Sequence, residues 1–158
     1  GSNNIGATNI ARLSGYKIGL LTLSLDILKT TLTIKLCQYF IPEQIMHVAF
    51  LVFLGHIYPV WLIFKGGKGV AVFLGILFCF SSTLSLIFIF VWIFIFIIFR
   101  YSSLSALSAC TSTLITSFFL FDNSIILFIT ALNLIIFIKH SENIRRLING
   151  EEKKFLKK

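Results

Sequence analysis

At 158 residues the chain has the length of one domain. It is 57% hydrophobic, holds 18 phenylalanines and has only 13% charged residues, about half the usual share. A chain this size cannot hide that much apolar surface from water, so a soluble globule is excluded. The formal net charge of +8 then reports membrane topology before anything else, and no nucleic-acid partner is expected.

Residues 1–12, Gly1-Ser2-Asn3-Asn4-Ile5-Gly6-Ala7-Thr8-Asn9-Ile10-Ala11-Arg12, are small, polar and glycine-bearing. They predict an irregular loop entering a helix, a setting that suits an anion. The plainer alternative is a disordered tail. Apolar runs then predict spans over 18–40, 45–63, 69–82, 84–99, 104–121 and 124–138. This is an all-α, polytopic transmembrane helical bundle of about six spans, with one integral membrane domain over residues 1–158. The first span contains Asp26 and Lys29, three residues apart on one helical face. Intramembrane charges are costly, tend to pair and mark function. The two are expected to form a buried pair lining the floor of a site, or else a purely structural pair. The apolar run at 70–80 is only ~17 Å long as a helix, short of a full span. His47 reads as a packed histidine. Cys37, Cys79 and Cys110 lie far apart in apolar sequence, with neither metal nor disulfide spacing. The segment 141–158 reads as a soluble basic tail.

Between the second and third runs lies a polar island, residues 55–69, with three glycines among residues 66–69, Lys65, Lys68, His56 and Pro59. Glycine lets backbone N–H groups turn toward a ligand, and successive N–H groups form an anion-binding nest. A lysine within it suits phosphate. The stretch is not a nucleotide P-loop, because Leu62 stands at the first glycine position and Gly69 follows Lys68. The alternative is a glycine-rich turn with a snorkelling lysine.

Charge assigns the sides. With these spans, one face receives segments 1–17, 64–68, 100–103 and 139–158. They hold every one of the 14 Lys and Arg residues except Lys29 and Lys35. The other face receives Glu43 and Asp122 and no base. The positive-inside rule puts the basic face in the cytoplasm. Three polar clusters are thus expected to converge there. They supply Arg12, Lys68, Arg145 and Arg146 as phosphate-binding candidates. They also supply His140 as an acid, base or hydrogen-bond donor, and Asn9 and Asn143 as neutral hydrogen-bonding groups. No pair of Asp or Glu residues lies near a histidine at metal-ligand spacing, so no metal is expected. Nor is a Ser–His–Asp or Cys–His arrangement evident. A site of cations at a lipid boundary suits a substrate that is part phosphate and part acyl chain.

Three ordered motifs carry a resemblance. Gly1 to Arg12 is similar to Gly-Ser-x-Asn-x-Gly-Ala-Thr-Asn-x-x-Arg. Gly55 to Ala71 is similar to Gly-His-x-(aromatic)-Pro-Val with a trailing Lys-Gly-Gly-Lys-Gly-Val-Ala. His140 to Glu152 is similar to His-x-x-Asn-Ile-x-Arg-Leu-x-x-Gly-x-Glu. These resemble the bacterial acyl-phosphate:glycerol-3-phosphate acyltransferase family, integral membrane enzymes of phospholipid synthesis. Asp26 and Lys29 resemble the family's Asp-x-x-Lys pair, with Thr30 in place of the usual glycine. Residues 100–104 resemble a patch with a functional serine, here Ser103.

The resemblance implies seven helices in the intact family, so the chain reads as N-terminally truncated, with the first family helix missing. It implies acyl transfer from acyl phosphate to the 1-hydroxyl of glycerol 3-phosphate, giving lysophosphatidate and phosphate. It implies catalytic roles for His140, Asn143, Lys68 and Ser103. Phosphate binding falls to Ser2, Thr8, Asn9, Arg12, Gly66, Gly67, Lys68, Gly69 and Arg145, with support from Asp26, Lys29 and His56. No cofactor is implied. The partners are acyl phosphate, glycerol 3-phosphate and membrane lipid, at the bacterial inner membrane with the site facing the cytoplasm. Acyl phosphate carries a good leaving group, so no enzyme nucleophile is needed. Alignment and oxyanion stabilisation suffice. No histidine has an aspartate five residues on, which sets the chain apart from the His-x-x-x-x-Asp acyltransferases. The alternative function is a small membrane transporter of a phosphorylated metabolite. Such sites usually lie near the midplane between repeats, and no repeat is visible here.

Overall fold

Lipid offers no partner to a backbone N–H or C=O, so a spanning segment must satisfy its own, and the α-helix does this residue by residue. The computed structural model describes residues 5–155 and turns every apolar run into a helix. In chain order these are α1 (Ala7–Ser14), α2 (Tyr16–Phe40), α3 (Ile45–Ile57), α4 (Val70–Phe80), α5 (Ser82–Phe99), α6 (Ser102–Leu120), α7 (Asn123–Lys139) and α8 (Ser141–Ile148). Single 3-10 turns lie at Pro42–Gln44 and Val60–Leu62. The segments Pro42–Leu62, Ser82–Phe99 and Ser102–Leu120 are each long and apolar enough to cross a membrane. So are α7 and α8 taken together, across a bend of 62°. Helix α2 has 25 residues but carries charge, and α4 has only 11. The protein is an all-α, polytopic membrane protein.

The fold consists of two compact units that divide between Ser81 and Ser82. In the first, α1 packs on α2, and α2 packs on α3 and α4. Helices α2 and α4 touch at Thr30 and Gly75. A Cβ at Gly75 would lie 2.9 Å from the Thr30 Cβ and 3.0 Å from the Ile27 carbonyl oxygen. The bulk that Thr30 adds to α2 is therefore accommodated by the missing side chain on α4. Its buried hydroxyl donates to the Asp26 carbonyl at 2.8 Å, within its own helix. Ile34, Phe53, Ile57, Val72, Phe73 and Ile76 fill this core.

In the second unit α6 packs on α5 and α7, and α8 lies on both α6 and α7. Between lipid-soluble helices, close approach comes from small residues rather than from water exclusion. Helix α6 buries Ser103, Ser105, Ala106, Ala109, Thr113 and Ser117 for this purpose. Most of these hydroxyls spend their hydrogen bond locally, as Ser105 does on the Tyr101 carbonyl at 2.9 Å and Thr113 on Cys110 at 2.8 Å. Asp122 caps α7, its Oδ1 accepting from the N–H groups of Ser124 and Ile125 at 3.0 and 3.1 Å.

Two expectations are corrected. The N-terminal stretch is helical from Ala7 onward rather than an irregular loop, because Ala7 and Ala11 pack against Gly19 at the start of α2. The segment after His140 is not simply a solvated tail. It forms α8 and then folds back, Phe155 N–H donating to the Arg100 carbonyl at 2.7 Å while its ring lies 5.5 Å from that of Phe96.

Candidate active site

The first unit places a charged pair beneath a glycine loop. Lys29 Nζ donates to Asp26 Oδ1 at 2.6 Å, one turn apart on α2. The same ammonium reaches His56 Nδ1 on α3 at 3.1 Å. The side chain of Asp26 is 14% exposed and that of His56 only 6%. Lys29, however, is 50% exposed, so the pair is half of what the sequence implied: the carboxylate is covered and the ammonium is not.

Above this pair the chain leaves α3 and returns. Gly66 N–H donates to the Ile57 carbonyl and Gly67 N–H to the His56 carbonyl, both at 3.2 Å. These are carbonyls that a helix leaves without internal partners at its C-terminus. The expected nest is therefore corrected: the N–H groups of Gly66 and Gly67 face α3 rather than an anion. What the loop offers an anion comes next in the chain. Lys68 is followed by Gly69, which is left-handed at φ 84° and caps α4. The first N–H groups of α4 have no partner within the helix, and the helix dipole favours negative charge there. Ile63 and Phe64 are left-handed without being glycine, at φ 51° and 59°, a conformation uncommon for any bulky residue and most so for the β-branched Ile63.

The second unit gathers its polar groups around one carboxylate. At the end of α8, Gly150 adopts φ 70°. Its N–H donates to the Leu147 carbonyl at 3.2 Å, and Glu151 N–H to Arg146 at 2.7 Å. This is a Schellman turn, which glycine makes without steric cost. The turn sends Glu152 back onto the helix. There Oε1 accepts from Ser103 Oγ and from Asn143 Nδ2, and Oε2 accepts from Arg146 Nε, each at 2.7 Å. Burial pushes the Glu152 carboxyl up, but the hydrogen bonds from Ser103, Arg146 and Asn143 and the charge of Arg146 outweigh it, so the group sits below its ordinary range.

His140 lies at the joint of α7 and α8 and is 3% exposed. Its Nδ1 lies 2.8 Å from the Ile136 carbonyl. A carbonyl only accepts, so Nδ1 carries the hydrogen and Nε2 holds the lone pair in the neutral ring.

A family profile described as glycerol-3-phosphate acyltransferase matches residues 1–150. A glycerol-3-phosphate acyltransferase of Wolbachia pipientis subsp. Culex pipiens is 43% identical, across 99% of this chain and 83% of the relative. One from Mesorhizobium japonicum is 44% identical, across 98% and 79%. The chain belongs to the glycerol-3-phosphate acyltransferase family. The solved structure of PlsY (YgiH), an integral membrane glycerol 3-phosphate acyltransferase in its glycerol 3-phosphate form, superimposes with a TM-score of 0.92 at 35% identity. That match covers 99% of this chain and 80% of PlsY. The lysophosphatidic acid form gives 0.90 at 34%.

Against the family frame, the structure sorts the expected residues. It joins Asp26, Lys29 and His56 to the loop of Gly66, Gly67, Lys68 and Gly69. It joins Ser103 and Asn143 through Glu152. On α1, Asn9 is buried, Thr8 is half-buried and Arg12 is exposed. Ser2 lies outside the described residues. Within the third motif Arg146, not Arg145, closes on the carboxylate, and Arg145 is exposed. Sequence reasoning gave Glu152 no role. Its signal was present, as the last acid of the third motif three residues beyond Asn149.

Proposed function

We propose that the protein transfers a fatty acyl group from acyl phosphate to the 1-hydroxyl of glycerol 3-phosphate. The glycerol oxygen forms a bond to the acyl carbon, the bond from that carbon to the phosphate oxygen breaks, and the products are 1-acyl-glycerol 3-phosphate and phosphate. The hydroxyl proton goes to the departing phosphate. Lys68 and the start of α4 hold phosphate, and Arg12 adds a second cation. Nε2 of His140 accepts a hydrogen bond from the neighbouring 2-hydroxyl and so aligns the 1-hydroxyl, whose proton stays available to the phosphate. The sequence reading left His140 open as an acid, a base or a hydrogen-bond donor; the bond from Nδ1 to Ile136 supports an acceptor at Nε2.

The observation that carries this reading is the state of Ser103. A serine beside a carboxylate suggests an acyl-enzyme, but this carboxylate also accepts from Asn143 and Arg146. It sits below its ordinary range and is a poor base. Ser103 is thus a structural donor rather than a nucleophile, which supports direct transfer from an already activated donor. The bias of basic residues toward one set of segments supports a bacterial inner membrane location with these groups facing the cytoplasm.

The test is donor choice in purified protein reconstituted with lipid. Acyl phosphate is expected to drive lysophosphatidate formation, and acyl-CoA is expected to give none; the reverse order of donors would overturn the proposal. His140→Gln should keep far more activity than His140→Ala and preserve the shape of the pH–rate profile. A Gln variant as inactive as the Ala variant, with loss of a rate limb, would make His140 the base.

A further inference from the structure

We propose that Lys29 is a positioning residue that fixes His56 in its Nε2–H tautomer, so that the His56 ring carries the glycine loop in its binding form. The proposal rests on the phosphate-binding role of that loop given above.

An ammonium has three hydrogens and no acceptor. Lys29 Nζ lies 3.1 Å from His56 Nδ1, so Nδ1 must be the acceptor and the ring hydrogen must sit on Nε2. Asp26 holds the ammonium in place at 2.6 Å from the same helix. The carboxylate does not compete for the ring, because Asp26 Oδ1 is 3.7 Å from Nδ1, beyond hydrogen-bond length. A tautomer set by a charged donor is held more firmly than one set by a neutral group.

The other edge of the ring faces the loop. A Cβ added at Gly67 would overlap Nε2, and its three nearest neighbours would all be His56 ring atoms. Gly67 N–H donates to the His56 carbonyl as well. Residue 67 is thus tied to residue 56 twice, once through the backbone and once by the ring pressed on its Cα. Lys68 is the next residue. The contacts run without a gap from Asp26 to Lys29, to His56, to Gly67. This explains why an ion pair deep in α2 accompanies a glycine loop outside it, and why position 67 tolerates no side chain.

The experiment uses the whole protein in lipid nanodiscs with 15N-labelled histidine. Nitrogen chemical shifts distinguish a pyrrole-type from a pyridine-type ring nitrogen, and His56→Gln assigns the signal among His47, His56 and His140. Wild type is expected to show a pyrrole-type Nε2 and a pyridine-type Nδ1 at His56. Lys29→Met should lose that single tautomer and raise the KM for glycerol 3-phosphate or for the acyl donor roughly tenfold, the size of one hydrogen bond, with kcat little changed. Lys29→Arg should restore both. Asp26→Asn combined with Lys29→Met removes the pair without stranding a charge, and should reproduce the effect if the single variant folds poorly. A wild-type ring with hydrogen on Nδ1, or a Lys29→Met protein that keeps either the tautomer or both KM values, overturns the proposal. Lys68→Ala separates the two levels: unchanged KM values there would remove the loop's phosphate role, while the tautomer signal still reports on Lys29.

Discussion

The glycine loop of the first unit and the returning segment of the second are both secured at the end of a helix, the second with the charged side chain of Glu152 in addition to backbone bonds. Gly66 and Gly67 bind α3 through backbone N–H groups. These two bonds use no charged side chain, and Lys68 follows them just before the start of α4. The segment after Gly150 has backbone bonds at Glu151, Glu152 and Phe155 but commits side chains as well, and Glu152 takes up Arg146, Asn143 Nδ2 and the Ser103 hydroxyl. His140, buried at the joint of α7 and α8, is not among the groups that Glu152 takes up. Under the proposed function the loop supplies charge for phosphate and His140 supplies a hydrogen bond for glycerol. The contrast also shows why a basic residue in a motif is not by itself a phosphate ligand: Arg146 belongs to Glu152.

The comparison breaks most visibly at the two cations. Lys68→Ala should lower kcat/KM about 100-fold, or about 2.7 kcal/mol, whereas Lys65→Ala, in an exposed residue just before the loop, should cost no more than about threefold. Steady-state kinetics in nanodiscs checks both, and equal mild losses would contradict the assignment.

The next largest effect concerns how the loop is held. Gly67→Ala puts a methyl group on the His56 ring, and should cost about 1–3 kcal/mol of stability by overpacking together with most of the activity. Gly55→Ala, whose Cβ would meet nothing within 4 Å, should be close to neutral. Thermal unfolding of the two variants gives the difference.

A comparable cost, read through pH, is expected at Glu152. Glu152→Gln should lower stability by about 2 kcal/mol near neutral pH through lost charge-assisted bonds. The carboxyl is held below its unfolded value. Its contribution is therefore complete above about pH 4.3 and is lost as pH falls through the folded value. Wild type should lose stability across that acid range, and the Gln variant should lose less. The smallest effect is expected at Arg145, which is exposed. Arg145→Ala should change the KM for glycerol 3-phosphate by no more than about threefold, while Arg146→Ala should lower the melting temperature.

The helices were legible because lipid allows an apolar run little other choice, and Pro42, Asp122 and the glycines mark the breaks. Helix α1 was not, because Ala7, Thr8, Asn9 and Ala11 read as loop residues until they are set against Gly19. The pairing of Asp26 with Lys29 followed from their spacing. The contact of Lys29 with His56 did not, since 27 residues separate them and only the packing of α2 on α3 brings them together. The glycines of the loop were found by composition, but their direction was misread: a glycine signals an unusual approach of the backbone, and the sequence does not say to what. Glu152 was missed for a related reason. Its partners are as much as 49 residues away, and a turn at Gly150 decides that it meets them.

Direct transfer without an acyl-enzyme is the claim on which the roles of Ser103, Glu152 and His140 depend. It is tested by mixing the purified protein with acyl phosphate alone, quenching, and measuring intact mass before and after glycerol 3-phosphate is added. The prediction is an unmodified protein at every time, with lysophosphatidate and phosphate appearing together only once glycerol 3-phosphate is present. A mass increase of one acyl chain before that addition, mapped to Ser103 and discharged by glycerol 3-phosphate, would contradict it.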